Sequence, residues 1–267
     1  VYGILKLINF AHGDLFMLSG IMMIYLAASF PTMPLWVTIL IMIALTVFVG
    51  FAIEKCAYSP LRTAPRMSVM ISAIGVSYLL QNLVCYITGG LAKQFPDIPL
   101  ISQSVKILGV KDKLAVFVSP LVAVVLMVAL VLIINHTKFG MSMRAVSKDF
   151  ETAQLMGVKI NRVISMTFII GSFLAAVGAL LYFAKNTGIN HMAGSTPGIK
   201  AFIAAVVGGI GSVPGAVVGA LIIGVVESLA KAFGLADFSD VISFALLILI
   251  LVIKPTGLFG EKTTEKV

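Results

Sequence analysis

Phe202-Ile-Ala-Ala-Val-Val-Gly-Gly-Ile-Gly-Ser-Val-Pro-Gly-Ala-Val-Val-Gly-Ala-Leu-Ile-Ile-Gly224 is apolar enough for lipid, yet it is interrupted at its middle. Gly208, Gly209, Gly211, Ser212 and Pro214 break the helical ladder, since proline has no N–H and the glycines leave the backbone free to turn. Backbone broken at membrane depth must be buried in protein or line a wet cavity, because lipid offers its freed polar groups no partner. After the break, small residues recur every fourth position, Gly211, Gly215 and Gly219 on one track and Ala216, Ala220 and Gly224 beside it. Such a seam lets a second helix approach closely. The stretch therefore reads either as a broken mouth on a substrate path joined to a packing seam, or as one tightly packed helix with a kink.

Composition sets the class. Charged residues make up 11% of the 267 and hydrophobic ones 60%, against about 25% and about half in a soluble domain. The chain is expected to be a single all-α, polytopic transmembrane domain over 1–267, with a broken or re-entrant helix pair near the C-terminus. Its net charge of +8 is read as the basic bias of membrane loops and not as a nucleic-acid signal. Val1 to Phe10 is too short to span, so an initial helix is expected to be missing from this sequence. Cys56 and Cys85 lie at opposite ends of neighbouring apolar runs, which predicts no disulfide.

Taken outward from the broken stretch, the spans are Leu15–Phe30, Leu35–Ile53, Val69–Ile87, Leu114–Ile134, Val163–Phe183, a broken element from Ile199 to about Ala230, and Val241–Ile253. The loop 88–113 has room for a short hairpin or a surface helix. Loops 54–66 and 136–162 and the tail from Lys254 hold eleven of the nineteen Lys and Arg. They fall on one side, the cytoplasm by the positive-inside rule, provided the broken element returns to its starting face. Roughly 32 residues at about 1.5 Å each are too long for one span and short for two, which fits a re-entrant hairpin.

A second motif, Ile8-Asn-Phe-Ala-His-Gly-Asp14, precedes the first span. Together with the GGxGSxxGAxxGA pattern and the basic loop between them, it resembles the membrane permease subunits of branched-chain amino acid ABC importers. The compact length is more similar to the smaller of the two related permeases. The resemblance implies a transport subunit and not an enzyme, lodged in the inner or plasma membrane. It would work with a second permease, two cytoplasmic ATPases that carry the ATP and Mg, and an extracytoplasmic binding protein, by alternating access. No Gly-Lys dipeptide occurs, so the chain has no phosphate-cradling loop and cannot be its own ATPase of that kind; no cofactor is expected to be bound by this chain. His12, His136 and His191 lie in separate regions, so no metal site is expected.

The candidate substrate path comprises Asn9, His12, Asp14, Gln81, Asn82, Gly208, Gly209, Gly211 and Ser212. Asn9, His12 and Asp14 read equally as a helix-start network with Asp14 capping the next run, and the amides of Gln81 and Asn82 as bonds between helices. Glu151-Thr-Ala-Gln-Leu-Met-Gly-Val158 sets Ala153 and Gly157 four apart on a short charged helix. By resemblance it is the coupling helix within a cytoplasmic loop, 136–162, with Arg144, Glu151, Ala153 and Gly157 at the ATPase; it lacks the family's usual double alanine. Gly215, Gly219 and Gly224 are expected in helix packing. Glu227 reads as a functional buried acid or as an ion pair with Lys231 one turn on. Urea or short-chain amide importers share these motifs, and a self-sufficient channel or secondary transporter would also have broken helices.

Overall fold

Leu35–Ile53 is entered straight from the Pro31–Pro34 turn, so the first two runs must pair as an antiparallel hairpin, and they do. The computed structural model describes residues 9–62, 64–99, 101–107 and 110–260. The expectation of a missing first helix therefore rests on residues outside that range, as does the tail beyond Gly260. The helices are α1 (Ala11–Ser29), α2 (Leu35–Ile53), α3 (Arg66–Thr88), α4 (Leu114–His136), α5 (Lys138–Lys148), α6 (Phe150–Leu155), α7 (Ile160–Lys185), α8 (Ser195–Gly208), α9 (Val213–Ala232) and α10 (Ser239–Ile253). Among the described residues, seven helices are long and apolar enough to cross a membrane, all but α5, α6 and α8.

The run ending at Ile53 does not stop there. It continues through a π-helical turn, Glu54–Tyr58, and a 3₁₀ turn, Ser59–Leu61, so the basic loop expected from residue 54 is mostly helix. Its inward residues, Glu54 and Tyr58, are buried. Loop 88–113 carries a hairpin of β2 (Ser104–Ile107) against β3 (Val110–Lys113), and β1 (Lys93–Gln94) pairs with β4 (Gly188–Ile189). That pairing puts the ends of α3 and α7 on one end of the bundle. On the other end Arg62 bonds Asn161, and the stretch after α10 returns to bond α8, Leu258 N to Val207 O and Phe259 N to Gly208 O, both at 2.9 Å. Loops 54–66 and 136–162 and the described start of the tail, 254–260, thus share one end, as charge counting requires.

The core lies where α1, α2, α3 and α7 meet, around Met17, Met42, Leu80, Val84, Ala176 and Phe183. Into this core the chain dips after β4. Gly13 of α1 lies so close to Gly194 and Gly198 that an added Cβ would strike the Gly194 carbonyl and sit 3.1 Å from the Gly198 Cα. Small residues make that approach possible.

α8 therefore begins inside the bundle. It runs 14 residues, about 21 Å, to the basic end; α9 then returns for 20 residues, about 30 Å. The hairpin and its return to the starting face are as the lengths required. The position of the discontinuity differs from the sequence reading. Gly208–Ser212 is the turn between two helices at the basic end, and the break at mid-depth is the start of α8. Gly209, at φ 109°, ends α8 in a conformation that suits glycine. Ser212 then caps α9 by accepting from Gly215 N at 3.1 Å, with a proline in the first turn.

Candidate functional site

Asp14 stands in the first turn of α1, but it does not cap that helix, which already begins at Ala11. Its side chain, 2% exposed, turns to α3. There it accepts a hydrogen bond from Ser77 Oγ and one from Gln81 Nε2 at 2.9 Å. Gln81 Nε2 also reaches Ser195 Oγ at 3.5 Å, in the first turn of α8. Ser77 and Gln81 are four apart, hence on one face of α3.

The depth of this cluster follows from its neighbours. Leu15 sits against Gly50, and Gly50 packs against Ser172, which lies near the middle of the 26-residue α7. An acid, an amide and two hydroxyls thus converge at mid-bundle, beside the first turn of α8. Such a helix start carries a partial positive charge. A carboxylate at membrane depth is expensive unless it is paired or functional.

Not every candidate joins this group. Asn9 accepts from the Tyr58 hydroxyl at 2.7 Å, tying the start of α1 to the end of α2. His12 is in the same turn as Asp14 and half-buried. Asn82 points outward and donates to its own helix at Tyr78 O. Gly208, Gly209, Gly211 and Ser212 lie far from Asp14 along α8. An added Cβ at Gly209 would meet the backbone of Phe259 and Gly260. Gly209, Gly211 and Ser212 border a cavity of about 320 Å³ that also touches Arg144 and Ser147.

In the packing seam, Gly215 and Gly219 face the backbone of α8 at Gly208 and Ala204, but among the described residues nothing lies within 4 Å of a Cβ at Gly224. Gly224 is exposed and is not part of the α8–α9 contact. Glu227 does not pair with Lys231. Lys200 of α8 lies 2.9 Å from it and 2.8 Å from Asp240, and Ser243 donates to Glu227 at 2.9 Å. The i, i+4 spacing promised a pair within α9; the tertiary partner won because α8 and α10 flank that face.

On α6, Glu151 is exposed, but Ala153 is not the open, close-approach surface that its spacing suggested. It is buried against Met143, Val146 and Val163. Asp149 caps α6 through the Glu151 and Thr152 amides. What projects is Leu155 and Met156, 87% and 81% exposed, beside Gly157. Arg144 bonds Ile134 O and, at 3.3 Å, Asn135 Oδ1, closing the end of α4.

Ser77, Ser195, Lys200 and the exposed Leu155–Met156 pair are absent from the sequence reading. Ser77 was findable, one turn before Gln81 on a polar face. Ser195 was not, because nothing local says that its loop enters the bundle.

The chain matches the family model described as branched-chain amino acid transport system / permease component over residues 1–251. It is 37% identical to the high-affinity branched-chain amino acid transport system permease protein LivH of Salmonella typhimurium and 38% to the corresponding protein BraD of Pseudomonas aeruginosa. Each alignment covers the whole chain and 90% of the relative. A probable branched-chain amino acid transport permease protein of Methanocaldococcus jannaschii is 30% identical over 94% of the chain and 82% of its own length. No solved structure matches.

Proposed function

The chain belongs to the branched-chain amino acid transport permease family, and from that premise we propose that it is one transmembrane subunit of an ATP-driven importer of leucine, isoleucine and valine. The observation that carries the reading is the convergence of Asp14, Ser77, Gln81 and Ser195 at mid-depth. An amino acid is a zwitterion with an apolar side chain here, so its passage needs an acceptor for an ammonium, donors for a carboxylate and an apolar wall. Asp14 supplies the first, the Gln81 amide and the Ser195 hydroxyl the second, and Met17, Leu80 and their neighbours the third. Asp14 is closed off in this conformation, so transport requires the bundle to open toward the cluster from each face in turn.

The chain itself does no bond chemistry. ATP and Mg belong to two cytoplasmic ATPases, and the substrate is delivered by an extracytoplasmic binding protein to a core of this permease and a second, related one. Leu155 and Met156 are apolar side chains held in water at the basic end, a surface that suits docking into an ATPase groove, with Gly157 leaving room beside them. The basic end is assigned to the cytoplasm by its charge. A cysteine at Lys148 should resist a membrane-impermeant thiol reagent in intact cells, and ready labelling there would reverse the orientation.

The test of function is leucine uptake by the reconstituted complex carrying Asp14→Asn. An unchanged rate removes the cluster from the path. The docking surface is tested by Leu155→Glu with Met156→Glu, which should separate the ATPases from a permease that still reaches the membrane in normal amount.

A further inference from the structure

A buried ionic link joins the end of α2 to the start of α7, at the end of the bundle that carries α5 and α6. Glu54 is fully buried. Its carboxylate accepts from Ser165 Oγ at 2.8 Å and from Arg62, and Lys55 Nζ stands 3.7 Å away. Arg62 donates with its other terminal nitrogen to Asn161 Oδ1. Asn161 and Ser165 occupy the first two turns of α7, which starts three residues after Gly157. The ionic group therefore lies directly behind the segment that projects Leu155 and Met156.

An apolar residue at 54 would pack α2 against α7 without the penalty of taking charge out of water. What an ionic network adds is a directional tie that holds one relative placement of its helices. The tie reaches further than α7. Tyr58, in the same π-helical turn as Glu54, packs on Val69 and Ala73 of α3 and on Ile164 and Phe168 of α7. Its hydroxyl bonds Asn9 at the head of α1. π-helical turns are rare, single-turn interruptions of α-helices that recur at functional positions. This one turns both an acid and a phenol inward, four residues apart.

We infer that Glu54, Arg62 and Asn161 are positioning residues for transport: they pass displacement of the α5–α6 segment through the head of α7 to α3 and α1, which hold Ser77, Gln81 and Asp14. The inference rests on the docking reading of Leu155 and Met156. It places these residues outside the path, so they act on coupling and not on substrate affinity.

The experiment uses the whole complex in proteoliposomes. Asn161→Ala with Ser165→Ala removes both neutral ties to α7 and leaves the Glu54–Arg62 pair intact, so no buried charge is orphaned. The ATP hydrolysed per leucine delivered should rise at least fivefold, while the amount assembled, the hydrolysis rate and the half-saturating leucine concentration stay at wild-type values. Asn161→Gln with Ser165→Thr, which keeps an amide and a hydroxyl, should restore the ratio to within twofold. A wild-type ratio in the double alanine variant overturns the link, and so does failure of that variant to assemble, since the network would then be a staple of the fold. Leu155→Glu with Met156→Glu is measured beside it. If the ATPases stay bound there, the docking reading fails by itself, whatever happens at Asn161.

Discussion

α1 and α4 are both membrane-length helices, and they are built to opposite rules. α1 is the least apolar of the seven spans and carries Gly13, Asp14, Ser19 and Gly20, yet more than half of its most apolar stretch is buried. α4 is the most apolar, and of its 23 residues Ala115 alone is buried. In water the more apolar helix would be inside. In lipid no such force separates them, and the interior goes to helices whose small residues allow close packing and whose polar groups need partners. Hydropathy therefore reports that a segment spans, and the departures from hydropathy report where it sits.

The largest test of this contrast is Gly13→Leu. Any Cβ at 13 runs into the Gly194 carbonyl, and backbone on both sides cannot give way like a flexible side chain. Overpacking of this kind costs about 3 kcal/mol or more, and the complex should fail to assemble, as read by size-exclusion of the solubilised protein. A normal yield of assembled protein with leucine at 13 would mean that α1 and α8 do not meet here, and α1 would lose its place at the centre.

Asp14→Asn keeps the shape of the side chain and removes its charge. Uptake should fall at least tenfold, about 1.4 kcal/mol, with the amount of protein unchanged. That result would separate the two halves of the comparison: glycines in α1 make the fold, the acid makes the transport. Equal uptake would leave Asp14 as another interhelical bond.

Gly209→Leu and Gly219→Leu come next, and here the geometry departs from the motif. A reading of Gly209 as path lining expects assembly without transport. The Cβ of either variant, however, meets backbone, that of Phe259 and Gly260 in one case and Ala204 in the other. Gly209 adds strain at φ 109°, about 1–3 kcal/mol. Both variants should lower the assembled amount. A Gly209→Leu protein that assembles fully and does not transport would return this turn to the path.

These positions also explain what could be read in advance. The apolar runs that span, the α8–α9 hairpin and the shared end of the basic segments follow from length and charge, quantities that do not depend on packing. That Asp14 and Gln81 each need a partner was legible, since lipid satisfies neither; that they partner each other was not, because spacing within one helix says nothing of which face meets which. The mid-depth helix start was misplaced by thirteen residues, from Gly208 to Ser195, because glycines and a proline mark a turn without saying at what depth it lies. Glu54 was hidden by its neighbour: Glu-Lys at the end of an apolar run looks like the edge of a loop, and a π-helical turn is needed to bring the acid inside. Ala153 was placed on the open face, and Leu155 was passed over, because six residues of helix are too few for periodicity to choose a buried face.

The smallest expected effect falls on α4. Val125, 59% exposed, lies midway along a helix whose outer face also carries Leu121, Val124 and Val128. If lipid covers that face, Val125→Phe exchanges one apolar surface for a larger one against a fluid that adjusts to it. Assembly and uptake should then change by less than about 0.5 kcal/mol. If the second permease covers it, the same ring enters a packed interface and should drive the two permeases apart in proportion to its added volume. Co-purification of the pair decides between them. A neutral Val125→Phe leaves α4 as the lipid-facing opposite of α1. Loss of the pair would make α4 a buried helix of the assembled transporter, and its high apolar content would then report an interface between subunits instead of a boundary with the membrane.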